Sequence, residues 1–419
     1  MATPVLSLHG GAGAKATNNT ICNVLSIEKP YFAIIVGAGL SGAVLAEQLA
    51  RKGRRILVLD KRDHIGGNVY DEIEPESGLR VAKYGAHIFH TNDEGVWAYV
   101  NRFGRWQRWD QRVLTRVGNR FVPVPANINT VNALFGENIS TEAGMREWLA
   151  GEQIGREEEA LNSEQVALAR VGPRLYHALF ETYTLKQWGV PASALDPLVL
   201  QRIPVRENFD DRYFGDKYQA LPIEGYTALV TSLLAHPAIE VRTGVDFFAG
   251  RDKWEAAAKW VLYTGPVDSF FPHAGLARLE YRSILFEKKI IDCVGYVQPC
   301  AQINYADDTT PFTRSVEYKH FLHQKSPTDK TVVISERTTN TGEPYYPMPT
   351  QNNKDIFAAY QKLAIEAEAR KTLPRVRFIG RLARYKYINM DQAVRAAIDA
   401  AAEVERVEVS DVSDAAFIG

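Results

Sequence analysis

The stretch from Tyr31 to Asp60 constrains this chain more than any other. Phe32 to Val36 is a short apolar run, followed by Gly37-Ala38-Gly39-Leu40-Ser41-Gly42 and a helical pattern through Lys52. Arg55 to Leu59 is a second strand-like run, and it ends at Asp60. Strand, glycine turn, helix and strand in about 30 residues form the opening unit of a dinucleotide-binding fold. Gly37 allows the tight turn, Gly39 lets the backbone approach a pyrophosphate, and Gly42 lets the helix pack close to the strand. The helix start, at Leu40 and Ser41, offers free N–H groups and a positive dipole end to the phosphates. Asp60, 18 residues after Gly42, can accept from a ribose hydroxyl. The bland alternative is a helix-packing glycine turn with no ligand.

The apolar stretch starting at Tyr31 is broken by three glycines and by Glu47-Gln48, so it does not read as a membrane span. Residues 1–30 lack the charged start and compact apolar core of a signal peptide and read as a flexible extension. Its Asn18-Asn19-Thr20 sequon therefore reads as chance. Lys and Arg number 49 against 50 Asp and Glu, a net charge of -1, which argues against nucleic-acid or membrane-surface binding by bulk charge. Cys22, Cys293 and Cys300 build neither a disulfide framework nor a zinc site, which implies a reducing compartment, the cytoplasm.

At roughly 150 residues per domain, 419 residues suggest about three lobes. From about Asn129 to Trp188 the pattern is helical, with Tyr176, Leu179, Phe180 and Tyr183 on one apolar face and Pro173 in a first turn. Leu279–Phe286, Ala301–Tyr305 and Thr331–Ser335 read as strands of an antiparallel sheet. Trp260–Thr264 and Val376–Ile379 return to the α/β style, before a helix from about Asp391 to Val404. The fold class is α/β in a multidomain α+β arrangement. A discontinuous Rossmann-like domain (31–105, 218–270, 355–410) is interrupted by a helical bundle (125–195) and an antiparallel sheet domain (106–124, 196–217, 271–354). Val190 to Leu200, with Pro191 and Pro197, is a candidate mobile lid.

After the second strand comes Asp63-His64-Ile65-Gly66-Gly67-Asn68. Two glycines suffice for an ordinary turn. After a βαβ unit, such a pair favours flavin over nicotinamide. His87 and His90, three apart, lack a Glu-x-x-His helix or a third ligand, so no metal is expected.

Several strings resemble the bacterial UDP-galactopyranose mutases. They include Lys61-Arg62 with His64 to Asn68, Lys83 to Asn92, and Tyr183-Thr184 with Lys186-Gln187-Trp188-Gly189. Arg202-Ile203-Pro204-Val205-Arg206, Leu279 to Ser283, Glu343 to Pro347 and Gly380-Arg381-Leu382-Ala383 come next, in order. The resemblance implies an FAD domain, a helical bundle and an antiparallel sheet with the substrate cleft between them. It implies interconversion of UDP-galactopyranose and UDP-galactofuranose through a covalent adduct of the sugar with N5 of reduced FAD (FADH-), with no net redox change. An external reductant such as NAD(P)H or a reductase would then be needed, and the protein would be a homo-oligomer.

Carried over residue by residue, the resemblance gives Arg202 and Arg314 to the substrate diphosphate, where guanidinium forks suit phosphate oxygens. It gives Tyr183, Thr184, Trp188, Tyr213, Asn304, Tyr346 and Tyr387 to the nucleotide sugar, and Gln111 to its neighbourhood. It places His87 beside the flavin. Gly37, Gly39, Leu40, Ser41, Gly42, Asp60, Lys61, Gly66, Gly67, Asn68, Ile88, Arg381, Asn389 and Met390 complete the FAD contacts. From pattern alone Tyr183 is a core residue, Arg202 and Arg206 are a surface ion-pair stripe, and Arg314 caps a strand edge.

Two positions depart from the family. Tyr385-Lys386-Tyr387-Ile388-Asn389-Met390 carries an amide where relatives have Asp, and Gln111 stands where they often have Asn or His. Both bear on sugar preference. A related mutase preferring another UDP-sugar is thus one alternative, and an FAD-dependent oxidoreductase of the amine-oxidase type is the other.

Overall fold

Five parallel strands carry the glycine turn in this computed structural model, which describes residues 30–416 except 203, 371 and 373. The expected 1–29 extension, its Asn18 sequon, Cys22 and Ile203 lie outside the described residues. Tyr31–Val36 is central, flanked by Ile56–Leu59 and Ala258–Tyr263, with Ile239–Arg242 and Arg375–Phe378 at the edges. The register sets Leu59 beside Val36, Val36 beside Tyr263 and Tyr263 beside Phe378. Gly37, Asp60, Thr264 and Gly380 therefore leave the sheet along one rim, where ligands of open α/β sheets bind. Tyr31–Val36 and Ile56–Leu59 read as unbroken apolar runs because both faces are covered. Leu40–Ala50 and Met390–Ala416 pack on one face, and Phe270, Tyr360 and Phe378 on the other. The C-terminal helix outruns its expected end at Val404. Val394, Ala397, Ala401 and Val404 keep a buried stripe, and no glycine or proline interrupts 405–416.

A seven-stranded sheet stands beside this unit, in the order Tyr346–Pro347, Tyr281–Asp292, Lys330–Thr339, Arg314–Glu317, Gln302–Tyr305, Val113–Val117, Arg120–Val124. Its neighbours pair antiparallel, with one correction to the expected pattern: Gln302–Tyr305 runs parallel to Val113–Val117. In-register pairs bring Arg314 opposite both Asn304 and Glu336.

The helical layer starts its helices on Asn127, Thr141 and Asn162, whose side chains accept from Thr130, Gly144 and Gln165 N–H groups. Gly172, at φ 73°, breaks the Ser163–Leu175 helix, and Pro173 restarts it. Tyr176–Phe180 is then a π-helical turn leading into Glu181–Trp188. The wider π geometry rotates the Glu181–Trp188 helix about its axis. Tyr176, Leu179 and Phe180 stay in the core of this layer, but Tyr183 leaves it and faces Arg314, Tyr213 and Tyr346 instead. The core assignment that helical spacing gives Tyr183 is thereby corrected.

The candidate lid, Val190 to Leu200, carries two short turns. Ala192–Ala194 is a 3₁₀ turn and Leu198–Gln201 a helical turn. Ala192 and Leu195 are buried. Leu195 O accepts from Ser163 N at 3.0 Å, Asp196 N donates to Pro349 O at 2.9 Å, and Lys354 ion-pairs with Asp196. Pro191 and Pro197 stand at the starts of these two turns.

Candidate active site

At the rim of the parallel sheet, two glycine segments cross with no side chain between them. A Cβ on Gly67 would lie 2.9 Å from the Gly39 Cα, and one on Gly42 would lie 1.9 Å from the Gly37 carbonyl oxygen. Gly37, Gly66 and Gly67 all have positive φ, as this path demands. Gly66 N donates to Ala38 O at 2.9 Å, which locks the crossing. Leu40 is buried at the helix start, and Ser41 lies under Gly380. The cradle fits a dinucleotide diphosphate: bare backbone, and a helix N-terminus capped by no side chain.

Asp60 is held at the rim by two main-chain donors. Its Oδ2 accepts from Ala38 N at 2.7 Å and its Oδ1 from Arg62 N at 2.9 Å. The buried carboxylate thus shapes the glycine turn, and each oxygen keeps a further lone pair for a ribose. Asn68 Oδ1 accepts from Arg62 at 3.1 Å, and Lys61 pairs with Glu343 at 2.9 Å, so both are drawn to protein partners. Ile88 and Met390 pack half-buried on the core beside the rim.

Above the cradle, the structure collects residues from five separate segments. Tyr346 and Tyr387 rings lie 5.2 Å apart, and Trp188 closes a triangle with them at 6.4 and 6.1 Å. The Arg202 guanidinium lies 4.0 Å over Tyr387, and that of Arg381 lies 5.3 Å from the same ring. Arg202 donates from Nη2 to Asn389 Oδ1 at 3.0 Å, Arg381 donates to Ile388 O at 2.5 Å, and Arg314 donates from Nε to Glu336 Oε2 at 2.7 Å. Three guanidiniums thus share one bonded carboxylate, because position 389 is an amide. The arrangement is electrostatically prepared for an anion.

The neighbouring titratable groups respond. Burial, then Arg381 and Arg314, push His87 down to about 4, so it is neutral at pH 7; its Nδ1 pairs with Gly85 O at 2.8 Å. His90 instead pairs with Asp216 at 2.8 Å, so the two histidines do not converge. Among the described residues no group of three His, Cys, Asp or Glu could hold a metal. Burial raises Tyr183 and Tyr213, and pushes Tyr346 up to about 12, keeping all three hydroxyls protonated as donors.

Thr184 is buried on the Glu181–Trp188 helix, one turn before Trp188. Asn304 is buried in register with Arg314, with its Oδ1 taking Gln302 Nε2 at 3.0 Å. Gln111 is buried too: its Oε1 accepts from Trp109 Nε1 and its main-chain oxygen from Tyr213 N, both at 2.7 Å. It buttresses Tyr213 from behind. Arg206 reaches neither substrate position nor surface stripe, since it bonds Asp210 and the Phe214 carbonyl.

Three residues escape a reading of sequence pattern. Glu336, 2% exposed, is the carboxylate behind Arg314, and its Oε1 has no hydrogen-bond partner among the described residues. Arg282, 4% exposed, donates to the last carbonyls of the Glu181–Trp188 helix. Lys186 crosses from that helix to the sheet. The last two lie inside the family-like strings, and Glu336 has no local signal at all.

A family model described as UDP-galactopyranose mutase matches residues 178–387, and one described as an NAD(P)-binding Rossmann-like domain matches 35–103. The chain is 36% identical over 373 residues to a Klebsiella pneumoniae protein named "Probable UDP-galactopyranose mutase", covering 88% of this chain and 94% of that one. It is 35% identical over 376 residues to the dTDP-fucopyranose mutase of Escherichia coli, covering 88% and 97%. A crystal structure of reduced UDP-galactopyranose mutase superposes with a TM-score of 0.70 at 16% identity, over 90% of this chain and 96% of that one.

Proposed function

This chain belongs to the UDP-galactopyranose mutase family of flavin-dependent isomerases, and from that premise we propose that it interconverts UDP-galactopyranose and UDP-galactofuranose. One observation carries the reading: Arg202, Arg314 and Arg381 gather beside an aromatic wall with, among the described residues, a single bonded carboxylate, Glu336, between them. An oxidase acting on an amine has no diphosphate to hold and no use for that charge.

When bound in its reduced form, the flavin supplies a nucleophilic nitrogen for the anomeric carbon without net redox change. The chain's own residues do the rest. Gly39 and Gly67 would admit the FAD diphosphate, and Arg381 and the Met390 helix start would serve the flavin end of the cofactor. Arg202 and Arg314 bind the substrate diphosphate and stabilise the charge that develops as UDP leaves. Trp188, Tyr346 and Tyr387 wall the uracil and sugar against water. Tyr183 and Tyr213, held protonated, donate to the phosphates or sugar, while Thr184 and Asn304 hydrogen-bond the nucleotide. Neutral His87 faces the flavin without adding charge. The reduced state calls for an external donor such as NAD(P)H or a reductase. A cytoplasmic homo-oligomer fits this reading; among the described residues no helix is long and apolar enough to cross a membrane.

A second reading is a mutase for a deoxythymidine diphosphate sugar. It is favoured by the 35% identity to dTDP-fucopyranose mutase. The deciding experiment is chromatography of UDP-galactofuranose, and in parallel dTDP-fucofuranose, incubated with the flavin-loaded protein and dithionite. Conversion to the pyranose form only under reduction supports the mutase, and the faster substrate chooses between readings. Stoichiometric oxidation with peroxide release, and no ring-form exchange, would sink both.

A further inference from the structure

We propose that Lys186 is a positioning residue that fixes the turn before Arg314 against the Glu181–Trp188 helix, and so sets the geometry of the diphosphate clamp. The inference rests on the nucleotide-sugar reading above. The Lys186 ammonium donates to the main-chain oxygens of Asp307 at 2.7 Å, Thr310 at 3.3 Å and Phe312 at 2.8 Å. An ammonium has three donors, and here each meets one carbonyl. Those carbonyls belong to the turn joining Gln302–Tyr305 to Arg314–Glu317, the strands that set Asn304 opposite Arg314.

Both ends of this bridge are themselves anchored. Arg116 Nη2 donates to Asp307 Oδ1 at 3.3 Å and to Thr309 Oγ1 at 2.6 Å, holding the turn from its other side. Buried Arg282 donates from Nε to Gln187 O at 3.0 Å, and from Nη2 to Lys186 O at 3.4 Å and Thr338 Oγ1 at 2.8 Å. Lys186 is thus the side chain that links the helix bearing Tyr183, Thr184 and Trp188 to the hairpin bearing Asn304 and Arg314. Its bonds go to carbonyl dipoles rather than carboxylates. Burial lowers its pKa to about 8, opposed by Asp307 and Asp308 and assisted by Arg116.

The test is calorimetric binding of UDP to the flavin-loaded protein. Lys186→Met removes the donors at similar length. It should bind UDP at least about tenfold more weakly, the worth of one charge-assisted hydrogen bond lost between a displaced Arg314 and the diphosphate, with flavin loading near wild type. Wild-type affinity should fall as pH rises through about 8, and Lys186→Arg, whose charge persists, should lack that fall. Wild-type affinity in Lys186→Met overturns the proposal. Should Lys186→Met fail to fold, the arginine variant decides, since an alkaline fall in it equal to the wild type's overturns the proposal too. A wild type that binds no UDP at any pH overturns the nucleotide-sugar reading itself, and this inference with it.

Discussion

Arg202 donates a 3.0 Å hydrogen bond to the carboxamide oxygen of Asn389, 187 residues away, while lying over the ring of Tyr387. A carboxylate at position 389 would turn this contact into an ion pair. The amide holds the guanidinium in place without cancelling its charge. Asn389→Asp should therefore raise the KM for the nucleotide sugar, because the new carboxylate competes with the diphosphate for Arg202. Turnover should change by less than about tenfold, roughly 1.4 kcal/mol. Steady-state kinetics on UDP-galactofuranose checks this; a collapse in turnover with unchanged KM would contradict it.

Replacing Arg202 or Arg314 with Ala should lower turnover by about 10²- to 10³-fold, the usual loss for one donor to a developing oxyanion. The two variants should differ in stability. Arg314→Ala strands the buried Glu336 carboxylate, a loss of about 3–5 kcal/mol for a broken buried pair, whereas Arg202→Ala strands only an exposed amide. Thermal melts beside the kinetics separate them, and equal melts would refute the buried-pair account.

His87 gives a pH signature of known sign. Its pKa falls from 6.5 in the unfolded chain to about 4 in the fold, because burial and then Arg381 and Arg314 oppose its charge. Between those values the unfolded chain binds a proton that the folded chain refuses. Its contribution to stability is complete above pH 6.5 and is lost as pH drops toward about 4. His87→Gln should flatten that part of the curve. An unchanged acid limb in the variant, measured by denaturant melts, would show that other groups carry it.

Gly67→Ala should impair flavin binding. Its Cβ would fall 2.9 Å from the Gly39 Cα at a φ of 54°. The left-handed backbone costs about 1–2 kcal/mol of folding stability, and the added methyl narrows the diphosphate path. Visible absorbance per mole of purified protein is the readout, and full loading would remove Gly67 from the cofactor cradle.

Local pattern carries some of this architecture. Phe32–Val36, the glycine turn and Arg55–Leu59 are legible because strand, turn and helix each depend on residues within a few positions of one another. Pro173 reads correctly for the same reason: what a proline does to a helix is decided within one turn. Spacing alone misplaces Tyr183, because a π turn five residues long rotates it off the core stripe, and nothing local announces that turn. The contacts of the candidate lid are equally illegible, since Asp196 meets Pro349 and Lys354 from far along the chain.

The sequence by itself determined the nucleotide-binding unit, the three-part organisation and, through its rare strings, the family. Those depend on short-range backbone preferences and on residue order, which a linear reading preserves. Tertiary structure alone decided the electrostatics of the cleft. Glu336 faces Arg314 through antiparallel register, Asn389 meets Arg202 from the start of the last helix, and Lys186 finds three carbonyls on the turn joining another strand pair. Charge acts through distance in space rather than separation along the chain, so which cations keep their charge was settled only when the three parts packed together.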